Sequence, residues 1–237
     1  MDKLYAAEIA AFSKVKIFCK DKPILDIGVG GGRTTLPLLE ISKDYLGIDY
    51  AKGMIDACKQ KYPDLNFMIA DARNLRFLPN SKFSLVVFSF NGIDYVSHKD
   101  RLAILGEVNR VLVKGGYFVF STHNSAYDRR LNQPPLRRLI GRIKDAIYPS
   151  GRKRRHIAGS CSYEYRDEPL YSTGKMLETY YINSQAQIDQ LKGCGFTCDQ
   201  VIDHDGATIG RFGDKLCPWL YFVTQKYTDI TVQDISG

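Results

Sequence analysis

The 237-residue chain predicts an α/β fold: a mostly parallel sheet of seven strands, the last one antiparallel, with helices on both faces and a lid inserted late in the chain. Three observations carry this expectation. Short apolar strands alternate with helix-period segments from residue 24 to residue 121. A glycine cluster at 28, 30, 31 and 32 follows the first strand directly. The last two strands are joined by a glycine-containing loop without a helix. That connection suits an antiparallel pair, because a parallel crossover takes about a dozen residues or more.

The elements follow in order. Residues 4–18 alternate apolar and polar positions at helical spacing, and Pro23 ends that region. Ile24 to Ile27 reads as a buried strand, and Thr34 to Ile41 as a helix. Tyr45 to Ile48 is a second strand ending in Asp49, Gly53 to Tyr62 a second helix closed by Pro63, and Asn66 to Ile69 a third strand ending near Asp71. Phe83 to Phe88 is a strongly apolar fourth strand. Apolar residues at 102, 104, 105, 108, 111 and 112 mark a helix over 101–112. Gly115-Gly116 makes a turn into a fifth strand, Tyr117 to Ser121. The rhythm breaks over 125–180, which is rich in Arg, Pro and Tyr. It resumes with a helix from an N-cap at Ser184 to Lys192, a sixth strand Phe196 to Ile202 and a seventh, Pro218 to Tyr227.

Composition narrows the function class. Hydrophobic residues make up 44% and charged residues 25%, the balance of a soluble chain with one large core. No apolar run reaches the ~20 residues that cross a bilayer. The N-terminal stretch MDKLYAAEIAAFSKVKIF lacks a basic leader, a continuous apolar core and a small-residue cleavage site, so a secretory signal is not expected. Cys19, Cys58, Cys161, Cys194, Cys198 and Cys217 are scattered with no CxxC pair, and the expectation is reduced thiols in a cytoplasmic protein, with no metal. The formal net charge is +7, yet residues 129–155 alone hold ten Lys or Arg against one acid, Asp145. The basicity is therefore local. It points to an anionic substrate, an anionic partner or a solvated face.

The chemistry-bearing residues lie at strand ends. The first strand and its loop read Asp26-Ile27-Gly28-Val29-Gly30-Gly31-Gly32-Arg33. A glycine-rich turn there is where a doubly wound sheet accepts a nucleotide-like ligand. The glycines fit GxGxG at 28, 30 and 32. A dinucleotide GxGxxG would need glycine at 33, where arginine stands. Asp49 can accept the ribose hydroxyls of an adenosine, which suits a dinucleotide and an adenosyl sulfonium alike. Asp71 can accept an adenine amino group, with the backbone at Ala72 meeting a ring nitrogen.

The segments ILDIGVGGGRTT, YLGIDYAKGMIDACKQKYP, NFMIADARNLRF, FSLVVFSFNGIDYV and EVNRVLVKGGYFVFSTHN stand in order at regular intervals. Together, residues from about 23 to 124 resemble the core of the class I S-adenosylmethionine (SAM)-dependent methyltransferases, in particular the type 11 group. The resemblance implies a Rossmann-like seven-stranded sheet, SAM as cofactor and S-adenosylhomocysteine as product. It implies that the loop carrying Gly28, Gly30 and Gly32 meets the methionine part of SAM, with Asp26 supporting its ammonium group. Asp49, beside Tyr50, would bind the ribose. Asp71 and Ala72 would hold the adenine, and Phe90 and Asn91 would line the methyl-donor pocket. Arg33 either pairs with the SAM carboxylate or occupies the start of a helix. Tyr5 could close over the cofactor.

Methyl transfer from a sulfonium releases a neutral thioether, so no general acid is needed and the family has no universal catalytic residue. The candidates here are His123, after the fifth strand, and Asp94 and Tyr95, after the fourth. His98 and His204 read as solvated or surface positions. The 125–180 insertion falls where a lid can cover the acceptor. Its Tyr163, Tyr165, Tyr171, Tyr180 and Tyr181 could shape an aromatic pocket, and its arginines could hold a phosphate or carboxylate. The leading expectation is methylation of an O or N atom on a small-molecule acceptor, with an anionic acceptor as one option. The alternatives are an RNA methyltransferase using 129–155 as a phosphate-binding arm, and a non-catalytic SAM-binding protein. The aromatics lie mainly downstream of the basic run, which counts against the nucleic-acid arm. No membrane association is expected.

Overall fold

The computed structural model describes residues 3–128, 134–137, 139–140, 143, 153–158, 161–169, 176–209 and 213–227. Most of the basic run lies outside these, including Arg129, Arg130, Arg138, Arg142, Lys144 and Arg152, as does Tyr171.

Five parallel strands form the first part of the sheet: β1 (Ile24–Ile27), β2 (Tyr45–Asp49), β3 (Asn66–Ile69), β4 (Phe83–Phe88) and β5 (Leu112–Asn124). β1 lies between β2 and β4; β3 flanks β2 and β5 flanks β4. Three further strands, β6 (Lys153–Ala158), β7 (Cys161–Pro169) and β8 (Met176–Ile182), precede β9 (Phe196–Ile202) and β10 (Trp219–Lys226). β10 runs antiparallel to both β5 and β9, which closes a seven-stranded core in the order β3-β2-β1-β4-β5-β10-β9. The expected antiparallel last strand is in place.

Side chains alternate across the sheet, as a period of two requires. Leu25, Ile27, Val86, Phe88, Phe118, Phe120, Leu220 and Phe222 pack on one face against α4 (His98–Val111) and α5 (Ser184–Gly193). Ile24, Leu85, Val87, Val119, Tyr221 and Val223 face the other layer, made by α1 (Ala6–Cys19), α2 (Thr35–Leu39) and α3 (Lys52–Lys61). β4 is buried along its whole length, which explains its continuous apolar run: both faces are covered. Burying each large apolar side chain contributes about 1.5–3 kcal/mol. No helix among the described residues is long and apolar enough to cross a membrane. Cys19, Cys58, Cys194, Cys198 and Cys217 are free thiols.

The late insertion is the main departure from the expected seven strands. β6, β7 and β8 form an antiparallel meander, and β8 joins the main sheet. β4 ends at Phe88, opposite Phe120. β5 continues to Asn124 and is flanked by β10 on one side. On the side that β4 has vacated, β8 pairs in parallel through His123↔Tyr181 and Asn124↔Ile182. β5 outruns the predicted 117–121 at both ends: Leu112 pairs with β4, Thr122 and His123 pair with β10, and His123 and Asn124 pair with β8; alternation read along one strand cannot reveal a partner about sixty residues away. Gly115, at φ +70°, sits within the strand as a local irregularity where β5 shifts register against β4. α5 is capped by Asn183, whose side chain accepts from the Ala186 amide, so the cap falls one residue before the expected Ser184.

Candidate functional site

The first half of the site is the rim over β1 and β2. The loop after β1 is left-handed at Gly28, Gly30 and Gly32, and the Val29 amide donates to the Ile48 carbonyl at 3.0 Å, tying it to β2. Gly28 is required for packing, since a Cβ there would lie 2.7 Å from Phe88 Cε2. Gly30 and Gly31 are different: a Cβ at either would meet no atom closer than 3.9 Å. The loop thus presents bare backbone to open space, a cradle for a ligand.

Asp49 anchors that cradle. Its carboxylate is buried and accepts from the Gly30 amide at 3.0 Å and from the Ala51 amide at 2.8 Å. Two backbone donors fix its direction, and a carboxylate with about four acceptor sites keeps capacity for two hydroxyls. Tyr50, next to it, is 83% exposed. Asp71 is half-buried and pairs with Arg73, whose hydrogen bonds hold its carboxyl below the usual range. Ala72 packs against the core beneath. Asp26 is turned inward: it accepts from Thr34 Oγ1 at 2.7 Å and Tyr45 Oη at 2.9 Å, and burial pushes its carboxyl up to about 6.

Arg33 neither starts a helix nor points freely to the rim. Both its terminal nitrogens reach Glu8 of α1. Glu8 is fully buried and also accepts from Tyr221 Oη at 2.8 Å, the Tyr5 amide at 2.8 Å and the Ser89 hydroxyl. Burial alone would raise this carboxyl, but the hydrogen bonds from Arg33, Ser89 and the Tyr5 amide outweigh it and hold it low. The Arg33 guanidinium lies 4.9 Å from the Tyr5 ring and 5.6 Å from the Phe90 ring. Tyr5 stacks on Phe90 at 5.7 Å and meets Trp219 edge-on. The N-terminal helix therefore locks onto the tip of β4.

The second half lies past that tip. Phe90 and Asn91 are consecutive non-glycine residues at positive φ, 56° and 58°. Each such residue costs of order 1–3 kcal/mol and persists where its surroundings hold it. The Asn91 amide donates to Ser121 Oγ at 2.7 Å, and the Phe90 amide to Tyr221 Oη at 3.4 Å. The turn leaves the Phe90 ring 60% exposed and buries the Asn91 side chain, whose Nδ2 lies 3.4 Å from His123 Nε2.

Asp94 is fully buried in the short turn Gly92–Asp94. One oxygen accepts from the His123 backbone amide at 2.6 Å and lies 2.7 Å from His123 Nδ1. The other accepts from Thr122 Oγ1 at 2.7 Å and Arg101 Nη1 at 2.5 Å. Arg101 of α4, also fully buried, donates further to the Ile93 carbonyl, Thr122, Gln187 and Gln190. His123 faces the Tyr181 ring at 4.9 Å and the Tyr95 ring at 6.2 Å. The structure thus brings together His123, Asp94, Tyr95 and Asn91. With Nδ1–H on the carboxylate, Nε2 carries the lone pair and can act as a base.

His98 and His204 sit elsewhere. His98 stacks on Tyr163 at 4.2 Å, with its Nδ1 3.0 Å from Tyr180 Oη, inside the aromatic seam of the meander. His204 lies edge-on to Trp219. Two arginines of the meander have acidic partners: Arg154 reaches Asp167 and Glu178, and Arg166 reaches Glu164. Among the described residues no group of three or more His, Cys, Asp or Glu side chains could hold a metal ion.

The residues missed from sequence are Glu8 and Arg101. Both carried a signal: each is a charge on the apolar stripe of a helix. Glu8 stands at helical spacing from Phe12 and Val15, and Arg101 from Ile104, Leu105 and Val108.

Residues 24–116 match the methyltransferase domain family. The chain is 33% identical over 96 residues to a demethylmenaquinone methyltransferase of Renibacterium salmoninarum, covering 40% of this chain and 39% of that one. It is 36% identical over 108 residues to a ubiquinone/menaquinone biosynthesis C-methyltransferase of Campylobacter jejuni, covering 42% and 44%. The chain therefore spans about two fifths of the length of these relatives. Its fold is similar to the crystal structure of a SAM-dependent methyltransferase from Clostridium acetobutylicum, with a TM-score of 0.67 at 14% identity, covering 96% of this chain and 94% of that one.

Proposed function

We propose that this chain, which carries a class I SAM-dependent methyltransferase domain, moves the methyl group of SAM to an O or N atom of a small-molecule acceptor, with His123 as the base. The observation that carries the reading is the buried Asp94 carboxylate holding His123 beside the Phe90–Asn91 turn at the tip of β4.

The residues of the rim fit SAM. Gly30 and Gly31 leave bare backbone where a methionine moiety would lie, and Asp49 offers fixed oxygens to ribose hydroxyls. Bound there, SAM supplies an electrophilic methyl on a cationic sulfur. The protein's task is to orient the acceptor and exclude water. Tyr5, Phe90 and Trp219 form an aromatic wall at the opening. An acceptor hydroxyl or amine that reaches His123 gives its proton to Nε2, while Nδ1–H stays on Asp94 and keeps the ring in one orientation. Such a base contributes about 10²–10⁴-fold.

Small-molecule acceptors are favoured by the named activities of the relatives, which act in quinone pathways. The β6–β8 meander, set against the His123 end of β5, serves as the lid, and its tyrosines shape the acceptor side. An RNA acceptor is the weaker reading, because Arg154 of the basic segment is engaged by Asp167 and Glu178.

The test is incubation of purified protein with methyl-labelled SAM and fractionated cell extract. Label in small molecules, on oxygen or nitrogen by mass spectrometry, supports the proposal. Nuclease-sensitive label moves it to nucleic acid, label on carbon refutes the assigned atom, and tight SAM binding without transfer makes the chain a sensor.

A further inference from the structure

Resting on the reading of His123 as the base, we propose that Arg101 is a positioning residue that sets both the orientation and the proton affinity of His123 through Asp94. The carboxylate does not face the ring alone: one oxygen serves His123, and the other holds a fully buried guanidinium at 2.5 Å.

With neutral His123, the Arg101–Asp94 cluster sums to zero. Proton uptake at Nε2 makes it +1 inside a region with no exposure at either partner. Arg101 thus takes a share of the carboxylate that would otherwise stabilise the imidazolium. The ring is held in place by its bond to Asp94. Arg101 also fixes Asp94 itself, by joining the Ile93 carbonyl, Thr122 of β5 and Gln187 and Gln190 of α5 in one network. The meander touches the same point: the Tyr180 ring of β8 lies 4.6 Å from the guanidinium, and the next residue, Tyr181, pairs with His123.

The groups that face His123 from each neighbouring element are few. Asp94 and Tyr95 come from the turn after β4, and Arg101 from α4. Tyr181 comes from β8, with Glu168 and Arg166 of β7 behind it. Trp219 of β10, its other strand neighbour, does not titrate. Arg101 is the cation bonded to the carboxylate that His123 uses.

The experiment is an NMR titration of the His123 ring in the free protein, alongside the pH profile of methyl transfer. Arg101→Met should raise the His123 midpoint by about one pH unit and move the acid-side fall of the rate by the same amount, while Arg101→Lys returns both toward wild type. A folded Arg101→Met protein with an unmoved midpoint overturns the proposal. If that variant does not fold, Gln187→Glu decides: a new carboxylate against Arg101 Nη2, which now bonds Gln187 at 2.6 Å, competes with Asp94 for the cation. The midpoint should again rise, and no change refutes the coupling. A midpoint that follows Arg101 in a protein without transferase activity would keep the coupling and remove His123 as base.

Discussion

Two buried ion pairs flank the tip of β4, and they differ in what they leave free. In the pair between Arg33 and Glu8, the arginine remains 22% exposed and lies against the rings of Tyr5 and Phe90. In the pair between Arg101 and Asp94, neither side chain meets solvent, and the spare carboxylate oxygen is aimed at a histidine. Burying an ion pair costs several kcal/mol in desolvation, so each persists only where surrounding hydrogen bonds offset that cost. The first arrangement secures a helix to the rim where a cofactor would sit. The second gives up all contact with water to hold one ring. Both pairs join an arginine to a buried carboxylate, and they differ in whether the arginine keeps contact with solvent.

The sharpest way to separate the two is His123→Ala. It should lower methyl transfer by about 10²–10⁴-fold while SAM affinity by calorimetry stays unchanged. A loss of SAM binding instead would mean that the two halves are one site. Glu8→Ala should do the reverse and strike the fold, costing about 3 kcal/mol in denaturant unfolding because Arg33 and Tyr221 lose their shared acceptor. The pH dependence has a definite sign. Glu8 is held below the ordinary carboxylate range, so its contribution is present above the unfolded value of about 4.3 and is lost as pH falls through the lower folded one. The gap between wild type and Glu8→Gln should therefore close in acid.

Asp49→Ala tests the rim alone. SAM should bind about 10- to 100-fold more weakly, with the His123 titration untouched; unchanged affinity would remove Asp49 from the ribose. The smallest effect is expected at Asp26. Its carboxyl, raised to about 6 by burial, binds a proton better in the folded state than in the unfolded chain, near 3.9. Its favourable contribution is full below about pH 4 and is lost as pH rises through 6. Asp26→Asn should gain on wild type by about 2 kcal/mol between pH 4 and pH 7. A constant difference across that range would show that the buried carboxyl keeps its charge.

The two halves are also unequally legible in the sequence. On the cofactor side, the glycines, Asp49 and Asp71 each stand at or just past the carboxyl end of a strand, so period-two alternation and chain order are enough to place them together on one rim. What alternation does not supply is direction. Asp26 turns inward to Thr34 and Tyr45, and Arg33 turns to Glu8. The His123 half is assembled from His123, Asp94 and Arg101 on three elements and from α5 about sixty residues further along. Proximity there arises from β4 stopping short while β5 runs on, a property of two strands compared, not of either one. The three extra strands escape notice for a related reason. Arg154 meets Asp167 and Glu178, and Tyr181 meets Glu168, across the meander, and no apolar stripe marks these strands in sequence.

The splice between β8 and β5 involves only two residue pairs, yet one of them is His123 itself. A chain that varies its acceptor by exchanging this appendage must preserve that junction or retune its chemistry at the same stroke. The outermost strand, β6, carries no such obligation, whereas β7 lends Glu168 and Arg166 to Tyr181. Chimeras that swap β6 and spare both Cys161–Pro169 and Met176–Ile182 would therefore change the appendage without disturbing His123.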